Sequence, residues 1–210
     1  MGIIRTSLRW LNTIRERIFD WYNKVDTAQQ VDLAQLNIAS ENLKHGEHYV
    51  PTTQFRFRKI MKSFPVRTEP FTFIDLGCGK GKVMLLASHY PFRKIIGVEF
   101  SPELAATASR NCSTYRSSQQ KCRDFSVVCE DVACYRIPPC PLVIYMFNPF
   151  GEPIINLVLK EFRRSLETDS QELYVIYFAP VLGQLLKQSG FLMPIEEGPH
   201  FCIFKGQSPQ

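Results

Sequence analysis

The chain has 210 residues, of which 45% are hydrophobic, 21% charged and 12% aromatic. That length and composition suffice for a core of its own and exclude a disordered, collagenous or low-complexity protein. The formal net charge is +5, too small for a dedicated nucleic-acid coat, and all of it sits in the first third. Residues 1–68 hold 11 Lys/Arg against 6 Asp/Glu, whereas residues 69–210 hold 14 of each.

Residues 3–25 read as an amphipathic helix. Ile4, Leu8, Leu11, Ile14, Ile18, Trp21 or Tyr22, and Val25 recur in steps of three and four, with Arg5, Arg9, Arg15 and Arg17 between them. Asp26-Thr27 is a candidate start for a second helix carrying Val31, Leu33, Leu36 and Ile38. A polar stretch, His45 to Thr52, follows. Phe55 to Phe64 reads as a further helix, ended by Pro65.

From residue 71 the rhythm changes to short, continuous apolar runs alternating with helical patterns. Strands are expected at Phe71–Leu76, Lys94–Glu99, Ser126–Cys129, Leu142–Phe147 and Leu173–Phe178. Helices are expected at Val83–Tyr90, from Ser101 (N-cap) and Pro102 onward, at Ile154–Ser165 and at Val181–Gln188. Phe191–Ile195 and Phe201–Phe204 read as two closing strands around Gly198-Pro199. Unbroken apolar strands alternating with helices indicate an α/β fold, a doubly wound and mostly parallel sheet covered on both faces. The closing pair adds an antiparallel hairpin at one edge. The chain divides into an N-terminal helical extension with a substrate-side loop, 1–68, and a sheet domain, 69–210.

The seven cysteines are odd in number and form no Cys-x-x-Cys pair, so reduced thiols in a cytoplasmic protein are the expectation. Cys129, Cys134 and Cys140 cluster, but their spacing fits no zinc pattern, and no metal is expected. No run reaches the roughly 18 apolar residues of a membrane span, and no signal-peptide pattern opens the chain.

The most informative segment is Asp75-Leu76-Gly77-Cys78-Gly79-Lys80-Gly81-Lys82, between an expected strand and an expected helix. Glycines there let the backbone turn tightly and approach a ligand outside the strand ends. The spacing is G-x-G-x-G, one residue shorter than the dinucleotide fingerprint, and G-x-x-x-x-G-K-[ST] is absent. A carboxylate two residues before the first glycine repels a pyrophosphate and suits a ligand with a cationic end. Glu99, 22 residues after Gly77, has the spacing of the acid that accepts both ribose hydroxyls. Asp131, after the third strand, is placed for an adenine amino group.

Together these residues resemble the motifs of class I S-adenosylmethionine-dependent methyltransferases, over roughly residues 71–205. The resemblance implies S-adenosyl-L-methionine as cofactor and S-adenosyl-L-homocysteine as product, with a seven-stranded Rossmann-like sheet. It further implies that Asp75, Gly77 and Gly79 line the methionine moiety and that Cys78 and Gly81 complete the loop. Glu99 then holds the ribose, Phe100 packs on the adenine, and Asp131 with Val132 meets the adenine edge.

The fourth strand ends in Phe147-Asn148-Pro149-Phe150-Gly151. This is similar to the Asn/Asp-Pro-Pro-aromatic motif of methyltransferases acting on planar or amine nitrogens, with one proline instead of two. The resemblance gives Asn148 and Pro149 the hydrogen bonds to the target amine and Phe150 the acceptor contact. The segment Tyr49-Val50-Pro51-Thr52 resembles one in Rossmann-type protein lysine methyltransferases that folds over the cofactor and shapes the acceptor entrance, which would involve Tyr49 and Thr52. The closer resemblance is to an uncharacterised bacterial family through the same Tyr-x-Pro-Thr, Asp-Leu-Gly-Cys-Gly-Lys-Gly, Gly-Val-Glu-Phe-Ser-Pro-Glu-Leu and Asn-Pro-Phe-Gly motifs. It implies no particular acceptor.

The expected activity is therefore methyl transfer to an amine-type nitrogen of a protein lysine or a small molecule. The alternatives are an RNA or DNA amino-methyltransferase and a non-catalytic cofactor-binding protein at a membrane. Residues 1–25 have three competing roles: packing on the catalytic domain or a second subunit, peripheral contact with a membrane surface, and electrostatic contact with nucleic acid.

Overall fold

The computed structural model describes residues 2–29, 52–148, 150–169 and 171–207, with the backbone alone for 2–12 and 169. The expected second helix after Asp26, with Val31 to Ile38, and the His45–Val50 stretch lie outside the described residues.

One sheet organises the chain. Its strands are β1 (Thr72–Leu76), β2 (Lys94–Glu99), β3 (Phe125–Cys129), β4 (Leu142–Phe147), β5 (Leu173–Phe178), β6 (Leu192–Gly198) and β7 (Phe201–Gly206), in the order β3-β2-β1-β4-β5-β7-β6. The first five are parallel, while β7 runs antiparallel to both β5 and β6. This is the expected doubly wound sheet with its closing hairpin. The helices are α1 (Gly2–Asn23), α2 (Gln54–Ser63), α3 (Lys82–Ala87), α4 (Pro102–Thr114), α5 (Glu152–Asp169) and α6 (Gly183–Lys187). Ser101 caps α4, its hydroxyl accepting from Leu104 N, and Pro102 occupies the first turn, where the lost N–H is harmless.

Alternate strand residues feed two cores. Phe73, Ile95, Tyr145 and Ile176 pack under α2, α3 and α4 with Phe57, Met84 and Ala108. Ile74, Ile144, Val175 and Phe204 pack under α5 and α6 with Ile155, Phe162 and Leu186. Between β3 and β4 no helix crosses over, and Val132, Tyr135 and Ile137 fill that part of the core from a turn. The strand order reverses between β1 and β4, so the ligand crevice lies at their carboxyl ends.

The second half of α1 docks on a different face from the one its apolar spacing predicts. Ile18, Trp21 and Tyr22 stand 57%, 81% and 76% exposed. The covered face instead carries Glu16, Phe19 and Asp20. Lys82, at the start of α3, decides this rotation. Its side chain is 1% exposed, and a buried ammonium requires a counter-charge. Glu16 supplies one at 2.7 Å, with Asp20 at 3.9 Å and the Phe19 ring centre at 3.3 Å. Phe19 also stacks on Tyr115 at 6.0 Å. Among the described residues, no helix is long and apolar enough to cross a membrane.

Candidate active site

The glycine loop joins β1 to α3 over the crevice. Gly77, Gly79 and Gly81 adopt φ of 77°, 53° and 81°. Gly77 N and Cys78 N donate to Val98 O, tying the loop to β2. A further glycine, Gly97 in β2, lets that strand pass under the loop. A Cβ there would lie 2.4 Å from Met84 Sδ and 2.7 Å from Cys78 Sγ. The Cys78 thiol is buried, and burial with the nearby Asp75 and Glu99 carboxyls pushes its pKa well up. It is therefore a small packing residue and not a thiolate nucleophile.

Two carboxyls face the crevice from adjacent strands. Asp75, on β1, is 3% exposed, and burial followed by repulsion from Glu99 holds its pKa well above the usual range. Glu99, at the end of β2, is 4% exposed. Burial raises its pKa too, against the pull of backbone N–H donors. Its Oε2 accepts from Gly79 N at 2.8 Å and its Oε1 from Ser101 N at 3.0 Å. The basic side chains nearest in sequence turn elsewhere: Lys80 to Asp26 at 2.9 Å and Lys82 to Glu16. No Lys or Arg among the described residues pairs with Asp75 or Glu99. Two buried acids without a basic partner form a cradle for a cationic ligand.

After β3, Asp131 Oδ1 accepts from Ala133 N at 2.9 Å, closing an Asx turn at the crevice rim. Val132 is buried in the α5-side core, so its main chain alone is left for a ligand. Phe100, half-buried, follows Glu99 at the same rim.

At the tip of β4, Asn148 takes φ 37°, and its Oδ1 accepts from Tyr177 Oη at 2.9 Å. Beside it, just after β5, Ala179 also takes a left-handed φ of 49°. Phe150 does not join Asn148 as an acceptor-facing ring. It is 8% exposed and packs with Ile154 and Val158 in the core. Tyr49 and Pro149 lie outside the described residues. Thr52 is buried and shares a 2.9 Å hydrogen bond with Tyr145 Oη on β4. That contact brings the start of the described α2 segment onto the strand next to Asp75.

Other groups at this mouth carried no motif. Phe147 and Phe178, paired in the β4–β5 register, meet edge to face at 4.7 Å. The Arg56 guanidinium stands 5.8 Å from the Phe178 ring centre. Tyr145 and Tyr177 had one available signal, a phenol inside an apolar buried strand, because a buried hydroxyl needs a partner. Phe147, Phe178 and Arg56 had none that separates them from core or surface residues.

Residues 73–169 match the family model described as a methyltransferase domain. Many solved structures share the fold, among them three methyltransferases. The glycopeptide N-methyltransferase MtfA complexed with sinefungin has 10% identity and a TM-score of 0.55, covering 78% of this chain and 90% of that one. A SAM-dependent methyltransferase from Aquifex aeolicus has 18% identity and a TM-score of 0.52, covering 73% and 89%. The 23S rRNA methyltransferase ErmE has 12% identity and a TM-score of 0.53, covering 77% and 70%. MtfA has also been solved with S-adenosylmethionine and with S-adenosylhomocysteine. No curated protein matches the sequence. The sheet is thus the Rossmann-like methyltransferase fold, and S-adenosylmethionine is the cofactor that the matched domain implies.

Proposed function

We propose that the chain is an S-adenosylmethionine-dependent methyltransferase acting on an amine-type nitrogen of a protein lysine or a small molecule. The observation that carries this reading is the pair of buried carboxyls, Asp75 and Glu99, without a basic partner among the described residues, with the Asn148 carboxamide at the same strand switch point.

Bound S-adenosylmethionine supplies an activated methyl group on a sulfonium and a cationic amino-acid end. Asp75 and the glycine loop suit the cationic end, because a positive charge lowers the free energy of two acids that burial disfavours as anions. Glu99 is oriented by Gly79 N and Ser101 N, and each carboxylate oxygen keeps a second lone pair for a ribose hydroxyl. Tyr177 fixes Asn148 Oδ1, which accepts an N–H from the acceptor amine and directs the nitrogen lone pair along the transfer line. Phe147 and Phe178 provide an apolar wall that favours the neutral, nucleophilic amine over the ammonium.

A second reading, transfer to an amino group of RNA or DNA, is favoured by α2. Its Arg56, Arg58, Lys59 and Lys62 are exposed, with Arg56 beside the mouth at the Phe178 ring, and the helix contains no acid. Contact of α1 with a membrane surface remains a proposal resting on exposed Ile18, Trp21 and Tyr22.

The test is labelled-methyl transfer from the cofactor into fractionated lysate, beside calorimetric titration with S-adenosylhomocysteine. Label in protein or small molecules supports the first reading, and label in nucleic acid supports the second. A wild-type protein that does not bind S-adenosylhomocysteine refutes both.

A further inference from the structure

The turn that follows α1 grips the glycine loop at two points. Lys80 lies between Gly79 and Gly81, at φ 53° and 81°. Neither glycine has a side chain to anchor it, so beside their backbone bonds to Glu99 and Cys78 the contacts of Lys80 help to set the shape of this stretch. Its ammonium lies 2.9 and 3.0 Å from the two Asp26 carboxylate oxygens. Its carbonyl accepts from Asn111 Nδ2 at 2.8 Å. The same amide nitrogen donates to Asp26 O at 2.8 Å, and Asn111 Oδ1 accepts from Asp26 N at 2.9 Å. Asn111 is 4% exposed on α4, so three of its four hydrogen-bonding positions tie α4, the loop and the post-α1 turn together away from water.

The next link reaches the cofactor site itself. Gly79, adjacent to Lys80, donates its N–H to the Glu99 carboxylate at 2.8 Å. A continuous set of contacts therefore runs from Asp26 through Asn111 and Lys80 to the acid at the ribose position. Asp20 fixes the turn from the other side, accepting from Thr27 N, Thr27 Oγ1 and Ala28 N at 2.6 Å each. α1 is thus joined to the loop by directional bonds as well as by apolar packing.

We propose that Asp26 and Asn111 are positioning residues of the cofactor site, so that docking of α1 and binding of the cofactor are one coupled equilibrium. This rests on the function proposed above. The ligand needs Gly79 and Gly81 in one arrangement. Seating of the Asp26 turn favours that arrangement, and seating is in turn favoured by the ligand, because coupling is reciprocal.

The experiment titrates the full-length protein with S-adenosylhomocysteine by calorimetry, follows amide hydrogen exchange, and records the melting of each unliganded variant. In the wild type, S-adenosylhomocysteine should slow exchange at residues 24–29 as well as in the loop. Asp26→Ala removes only a part-exposed ion pair and should weaken binding about threefold. Asn111→Ala removes buried hydrogen bonds and should weaken binding about tenfold or more, beyond what its lowered melting explains. Asp26→Ala keeps the proposal testable if Asn111→Ala fails to fold. The proposal is overturned if S-adenosylhomocysteine leaves exchange at 24–29 unchanged, or if the folded variants bind it as the wild type does. A wild type that does not bind S-adenosylhomocysteine removes the functional reading, and this proposal with it. Wild-type binding with unaltered variants removes this proposal alone.

Discussion

Lys82 offers the sharpest test of how the N-terminal helix is held. Its ammonium has Glu16 at 2.7 Å, Asp20 at 3.9 Å and the Phe19 ring centre at 3.3 Å, and its side chain is 1% exposed against 11% for Glu16. Removing one partner of a buried pair typically costs about 3–5 kcal/mol, because the other charge is left without compensation. Here Asp20 and the Phe19 ring remain, which reduces the expected loss for Glu16→Ala to roughly 2–3 kcal/mol. For a chain of this size that corresponds to a melting temperature lower by about 4–12 °C. The loss has a ceiling: once it exceeds the docking free energy of α1, the helix releases and Lys82 reaches water. Part of the effect should therefore appear as lost hydrogen-exchange protection over residues 13–29, with the sheet unchanged. Glu16→Leu combined with Lys82→Met removes both charges and should lie within about 1 kcal/mol of the wild type. If Glu16→Ala melts within about 1 °C of the wild type with α1 still protected, the ion pair does not hold the helix and the reasoning fails.

Three further outcomes follow from the same geometry. Glu99→Gln should weaken S-adenosylhomocysteine binding by about ten- to a hundredfold, the worth of hydrogen bonds to a charged acceptor. Because burial raises the Glu99 pKa above 4.5, wild-type affinity should fall on acidification through that raised value, and in Glu99→Gln the pH dependence should shrink to the part that belongs to Asp75. Burial and Arg58 lower the His89 pKa from 6.5 to about 4, so between those values the unfolded chain binds a proton that the folded protein refuses. Stability should then drop by about 1–2 kcal/mol as pH falls through this window, a figure discounted because His89 is only half-buried. Urea unfolding at pH 7 and 4.5 measures it, and an unchanged slope in His89→Gln would assign the drop elsewhere. Gly97→Ala places a Cβ 2.4 Å from Met84 Sδ and 2.7 Å from Cys78 Sγ and should destabilise by about 1–3 kcal/mol. Combined with Met84→Ala, which carries its own cavity cost, Gly97→Ala should cost less than it does alone, and strict additivity of the two losses would place the strain at Cys78.

The sheet was legible because its central strands are buried on both faces and read as unbroken apolar runs. Lys94–Glu99, Leu142–Phe147 and Leu173–Phe178 came out of the sequence with the bounds that the structure gives them. The glycine loop and Glu99 were legible for a related reason: positive φ and close backbone approach restrict the residue type, so the chemistry leaves a spaced pattern. Phe150 shows where a motif stops being informative. An aromatic after Asn-Pro is equally suited to facing an acceptor or plugging a core, and the packing of α5 placed it in the core. The exposed face of α1 shows a deeper limit. Periodicity assigns Ile14, Ile18 and Trp21 inward, because burial of apolar area is what chiefly docks a helix on an apolar layer. The surface beneath is not wholly apolar, since a buried lysine opens α3. A single desolvated charge is worth more than one leucine-sized contact, so the helix turns Glu16 and Asp20 toward Lys82 and leaves Trp21 in solvent. The partner that sets the rotation lies 66 residues away in sequence, where no local pattern can register it. The basic excess of the first third takes its meaning from the same geometry. Glu16 and Asp26 are committed to Lys82 and Lys80, so the exposed Arg15 and Arg17 make the outward face of the described second half of α1 more positive than its composition.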